Sequence, residues 1–302
     1  MAQDLAAHAS GVFGLPAELD GMHVLALPPG ADVVALARAW FGDARWEREP
    51  VAAVRVARPM TGARFRGIAV QEEQPGVQGL LRLDEEAALV GPVPLPATHE
   101  HGPRDLYGLE HVGQAALDRA AGWMTATARH VGGLVLPADR VRAIAPDPEA
   151  RIDLTLWTAI PMTTADVVPL VRPALSGARL SPVDVPAPPG GAPQPFTITA
   201  AYEYDGAVRL RMHRPRATPV ALQAVDWREH GPWAYEVSWQ PLEPGELTTE
   251  TPSPLHVIAR QRVAPSIARV TSALWRACGG TVLDGGGFVV TPDELRDRAS
   301  RR

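Results

Sequence analysis

The chain has 302 residues, 46% of them hydrophobic, which is enough to bury a sizeable core and by length suggests about two domains. A net charge of −5 gives no global attraction to nucleic acid or anionic lipid, and no apolar run is long enough to span a bilayer. There is no lysine, which excludes Schiff-base chemistry, the phosphate-loop lysine and the kinase lysine–glutamate pair, and the single cysteine, Cys278, can build neither a disulfide within the chain nor a thiolate metal centre.

All 29 basic residues are therefore arginine, and asparagine is absent as well. A GC-rich bacterial genome that avoids A-rich codons accounts for both absences. The opening MAQDLAAHASGVFG lacks the early positive charge and apolar stretch of a secretory signal. With one cysteine, the expectation is a cytoplasmic protein.

In chain order, a strand is expected over 22–28 and a helix over 31–41, opened by Ala31-Asp32-Val33-Val34. Strands over 51–58 and 64–71 meet at Thr61-Gly62, and another follows over 77–83. The stretch 99–110 reads as a loop. An amphipathic helix over 112–130 stops at Gly132-Gly133, and a strand covers 133–137.

The same grammar then returns. A strand over 152–160 precedes a helix over 165–175, opened by Ala165-Asp166-Val167-Val168. A Pro/Gly loop (181–195) leads to strands over 196–204 and 207–213, joined by Asp205-Gly206. A strand over 233–239, a loop over 242–254 and a helix over 264–277 follow, the helix carrying Ile267, Val270, Leu274 and Cys278 on one stripe. Gly279-Gly280 stops it. A hairpin over 281–290 turns at Asp284-Gly285-Gly286-Gly287, and Thr291-Pro292-Asp293-Glu294 opens a short last helix.

Three collinear matches, at the first helix, the hairpin and the Gly-Gly stop, point to internal duplication, with spacing between partners that grows along the chain. The expected fold is α+β: two tandem diverged copies of a β-α-β-β-β-α-β unit, residues 1–148 and 149–302. Mainly antiparallel sheets would carry helices packed on one face. The second copy adds the Pro/Gly loop, the terminal hairpin and the last helix.

Chemistry-bearing motifs are few. His99, His101, Asp105 and His111 are residue types that bind zinc, but the His-x-His-x-Asp-His pattern of metallo-β-lactamases is broken by Pro103. No metal and no cofactor is expected. The glycines at 279–287 follow a helix and sit in a hairpin, so capping and turn formation explain them better than phosphate binding. No Gly-x-Ser-x-Gly elbow occurs. Glu72-Glu73 and Asp84-Glu85-Glu86 read as solvated charge.

Two sets of residues remain as binding candidates. Trp233, Tyr235 and Trp239 alternate onto one strand face, where they form either core or a ligand-lining surface. Arg64 and Arg66 in the first half and Arg209, Arg211 and His213 in the second form polar rows opposite Phe65, Leu210 and Met212, suited to carboxylate or phosphate. Two readings stand. One is a non-enzymatic intracellular protein-binding or regulatory protein with an acidic protein partner and no nucleic-acid or membrane contact, either a monomer with an internal pseudo-two-fold or a homo-oligomer. The alternative is a hydrolase-like enzyme using His, Asp, Glu or Arg on a small substrate between the copies.

Overall fold

The computed structural model describes residues 15–52, 54–59, 69–74, 76–98, 102–181 and 193–301. The chain divides into two compact units, Met1–Pro146 and Asp147–Arg302. In the first, β1 (His23–Leu27) leads into the short helix α1 (Val33–Arg38) and β2 (Arg45–Arg48). Then come β3 (Val54–Pro59), β4 (Ala69–Gln74), β5 (Gly79–Arg82), β6 (Ala87–Leu95), β7 (Arg104–His111), the long helix α2 (Gly113–Val131) and β8 (Leu134–Leu136). Six of these strands form an antiparallel sheet in the order β2-β5-β6-β7-β1-β8, and β3–β4 is a separate two-stranded ribbon.

The second unit runs β9 (Leu154–Thr158), α3 (Thr164–Val171), β10 (Arg179–Leu180), β11 (Phe196–Ala201), β12 (Ala207–His213) and α4 (Trp227–His230). It continues with β13 (Trp233–Gln240), α5 (Pro254–Cys278), β14 (Thr281–Asp284), β15 (Val289–Val290) and α6 (Pro292–Ser300). Its seven-stranded antiparallel sheet has the order β10-β11-β12-β13-β9-β14-β15. The fold is thus α+β, with six α-helices and two large antiparallel sheets among the described residues.

Setting β1 beside β9, β2 beside β10, β5–β7 beside β11–β13 and β8 beside β14 gives both sheets one strand order. In that match Leu25, between Tyr107 and Val135, takes the place of Leu156, between Tyr235 and Val282. The hairpin corresponding to β11–β12 is then β5–β6. The sequence had paired 51–70 with 195–214, but β3–β4 stands outside the sheet.

Three further expectations are corrected. β6 hides in the sequence because Gly91-Pro92 interrupts its alternation, and the strand absorbs the interruption as an irregularity between Val90 and Val93. The stretch 99–110, expected as a loop, contributes the interior strand β7. Leu106, Tyr107, Gly108 and Leu109 are all buried, so no alternation marks the strand. A side chain at Gly108 would run into Leu19 and Met22. Helix α5 starts at Pro254, ten residues before its expected start, because Ser253 caps it and Pro254 takes the first turn. Pro265, next to the expected start, lies inside the helix.

The helix caps also refine the Ala-Asp-Val-Val match. Asp32 is a true N-cap and accepts from the Ala35 N–H at 3.0 Å. Asp166 sits three residues into α3 and closes a capping box with Thr163. The two aspartates do related work one turn apart.

In the second unit, α3, α5 and α6 all pack on one sheet face. Val167, Val171, Val263, Ile267 and Leu295 share a single cluster with Leu156, Leu210 and Tyr235. In the first unit, α2 lies across β1, β8, β6 and β7. Its Trp123 is fully buried, donates to the Leu36 carbonyl at 3.0 Å and meets Phe41 edge-on. Each long helix ends in a glycine pair whose second member packs on the first strand of its unit. A Cβ on Gly133 would lie 2.7 Å from the Ala26 carbonyl, and one on Gly280 would overlap the Trp157 carbonyl. Gly280 also has φ of +111°. Gly280→Ala should therefore cost more than about 2 kcal/mol, whereas Gly245→Ala, where a Cβ meets nothing, should cost under about 0.5 kcal/mol. Denaturant unfolding of the two variants checks this.

Candidate functional site

The strand β12 sorts its side chains by alternation. Val208, Leu210 and Met212 point into the core beneath the helices, and Arg209, Arg211 and His213 point to the opposite, outer face. One end of that outer face is closed by the segment between β12 and β13, whose Leu222, Ala221 and Val225 cover Trp157, Ala234 and Leu283. The rest is polar. The register places Arg209 between Thr199 and Ser238, and Arg211 between Thr197 and Glu236.

The charges on this face are unevenly paired. Glu236 is shared, lying 3.7 Å from Arg211 and 3.4 Å from His213 Nε2. Burial lowers the His213 pKa, with Arg211 acting in the same sense and Glu236 opposing, so the ring tends to stay neutral. Arg209 is half-buried and its Nε is buried without a hydrogen-bond partner. Among the described residues no carboxylate comes within ion-pair distance of it. Asp153 is exposed as a residue, but its carboxylate is held against the Trp239 N–H at 2.8 Å. Desolvation of that carboxylate raises its pKa, against the Trp239 N–H, Arg151 and Arg209. Arg179 stands at the edge of the sheet beside Ala201 and is exposed, as are Arg214 and Arg216 in the chain just past β12.

The aromatic candidates are packed. Tyr235 is fully buried, and its hydroxyl accepts from the Met162 N–H at 2.6 Å, just ahead of α3. Burial pushes its pKa up to about 12. Trp239 is 5% exposed, donates from Nε1 to the Asp205 carbonyl and lies 4.7 Å from the His256 ring. Trp233 packs at the edge of the same core. These rings hold the helices to the sheet and are not on the outer face.

Arg64 and Arg66 lie outside the described residues, as do His99 and His101. In the strand match, the place of Arg209 is taken in the first unit by Ala88, between Arg82 and Glu110. Arg82 there is already engaged by Glu47 at 2.6 Å. Asp105 and His111 sit at opposite ends of β7, about 20 Å apart at strand rise, and do not converge on one ion. Among the described residues no group of three His, Cys, Asp or Glu side chains is placed to hold a metal.

Sequence reasoning missed Thr199, Ser238 and Glu236. Their signal was present as period-2 polarity in 197–199 and 236–238, facing the arginine row. It becomes visible only once β12 is known to lie between those strands. A separate open depression of about 510 Å³ near the end of α5 is lined by Glu229, Trp275, Arg276, Gly279, Gly280 and Thr281, with no histidine among them. No helix among the described residues is long and apolar enough to cross a membrane. Compared with known protein families, with curated proteins and with solved structures, the chain matches none.

Two outcomes follow. Tyr235→Phe leaves the Met162 N–H unsatisfied and should cost about 1–2 kcal/mol in denaturant unfolding. Burial also lowers the pKa of His23 and His256. With these and His213 depressed when folded, the unfolded chain takes up protons first as pH falls through its ordinary imidazole value. Stability should therefore decline from about pH 7 towards pH 5. His213→Gln should flatten part of that slope, and thermal melts across the range measure it.

Proposed function

We propose that this protein is a non-enzymatic binding protein, and that the outer face of its second sheet engages an acidic protein partner. The observation that carries this reading is Arg209, half-buried with no carboxylate in ion-pair reach among the described residues, on a face that the helices leave uncovered. Folded chains rarely strand a partly desolvated cation without a counter-charge, because its desolvation is then uncompensated. A partner's carboxylate supplies the missing charge, and Arg179 at the edge of the same sheet favours the same sign of partner.

We further propose that the two units are diverged copies of one fold. The common strand order supports this, as do the matched tyrosines Tyr107 and Tyr235 and the paired glycines Gly133 and Gly280 against equivalent strand carbonyls. In this reading the second copy has specialised, since the equivalent row of the first copy has Ala88 at its centre and its arginine already paired.

A glutamate-rich peptide, followed by fluorescence anisotropy at low and high salt, tests the binding face. Salt-sensitive binding is expected, and Arg209→Gln/Arg211→Gln should abolish it with an unchanged melting temperature. Arg276→Gln, at the end of α5, should leave it intact. Equal binding by the double variant and the wild type would refute the face as the site.

A further inference from the structure

Within that face we infer a specific seat: the cross-strand row Thr199–Arg209–Ser238 takes one carboxylate side chain of the partner. This rests on the reading of the outer face as the binding surface and names the chemistry at its centre.

The register sets the three residues side by side on β11, β12 and β13, with neighbouring strands about 4.8 Å apart. All three are half-buried, so the row forms the floor of the face. Their side chains point the same way, because Ile198, Ala200, Val208, Leu210, Val237 and Trp239 on either side are turned into the core. None of the three has a side-chain partner for its terminal polar atoms among the described residues. The seat therefore offers a guanidinium edge flanked by two hydroxyl donors, a set that matches the two oxygens and the plane of a carboxylate.

The surroundings select one negative charge over two. Asp153 lies close enough to Arg209 for its carboxylate to feel the guanidinium, and Glu236 occupies the neighbouring row between Arg211 and His213. A phosphate dianion would face both of these acids with a single unpaired arginine to hold it. A glutamate or aspartate side chain brings half that charge and still satisfies the guanidinium. Arg211 is already half-committed to Glu236 and contributes long-range attraction more than contact.

The experiment uses the full chain with nitrogen-15 label, following the Arg209 Nε–Hε signal by NMR during titration with a glutamate-rich peptide, a phosphoserine peptide and inorganic phosphate. The glutamate-rich peptide should shift that signal saturably. Thr199→Val and Ser238→Ala should each weaken its binding about fivefold, the worth of one hydrogen bond, with unchanged melting temperatures. Binding that persists in both variants and leaves the Arg209 signal unmoved, yet is lost on Arg211→Gln, would overturn the seat and leave the face standing. No peptide binding at all would overturn both. Saturation by phosphate or the phosphoserine peptide at lower concentration than by the glutamate-rich peptide would overturn the carboxylate as the ligand.

Discussion

The close approach of a long helix to the first strand of its own unit is the constraint on which the rest of each unit depends. At the end of α2 and again at the end of α5, the chain must leave the helix and immediately pair beside β1 or β9. There is no room for a Cβ between the second glycine and the strand carbonyl, at Ala26 in one case and Trp157 in the other. Once that junction is fixed, the helix has to lie across a single sheet face. Its apolar stripe, seen in α5 as Val263, Ile267, Val270 and Leu274, then determines which strand residues are core. The first helix of each unit packs near the same place, next to a buried tyrosine. Asp32 at the start of α1 acts on Tyr107 electrostatically, and Met162 ahead of α3 donates to Tyr235.

One-sided packing leaves each sheet with an outer face that must be covered locally or stay polar. The two units solve this with different pieces of chain. In the first, Leu19 and Met22, ahead of β1, pack over Val24, Ala26 and Leu106, and Gly108 gives them space. Arg140 locks that cover down by donating to the Leu19 carbonyl at 2.7 Å. In the second, the cover comes from Leu222 between β12 and β13 and reaches only the end of the face near Trp157. In the strand match, the position of Gly108 is Glu236. A glycine there admits an apolar lid, and a glutamate there anchors Arg211 and His213 and keeps the centre of the face polar.

Much of this architecture was legible in the sequence where a local rule was enough. The glycine stops, the Asp205-Gly206 turn, the alternation of β12 and the capped last helix all follow from short-range chemistry. Most of the failures share one cause, which is context from residues far away in the chain. β7 looked like a loop because its Gly108 makes sense only beside Leu19, nearly ninety residues earlier. The start of α5 was obscured by two prolines that each fit a first helical turn, and only the Ser253 cap separates them. Both β3–β4 and β5–β6 are hairpins, and no local pattern shows which one joins the sheet. The arginine row was visible, yet its neighbours were not, because cross-strand partners depend on sheet order and no local period encodes that order.

The outer row also shows how a strand can carry charge without wasting it. Three cationic or potentially cationic groups, Arg209, Arg211 and His213, stand at successive outward positions on β12, and one acid, Glu236, serves two of them. Were His213 protonated, it would compete with Arg211 for that acid. Burial works against the proton, so Glu236 remains available to the arginine, and the repulsion along the row is reduced. Arg209 is out of reach of this arrangement by one residue pair, and Asp153, the acid that feels its charge, is bound to a backbone amide. The strand therefore balances its own charges at one end and leaves an unanswered one at the other. An alanine in that row, as Ala88 is in the first unit, leaves no charge there to answer.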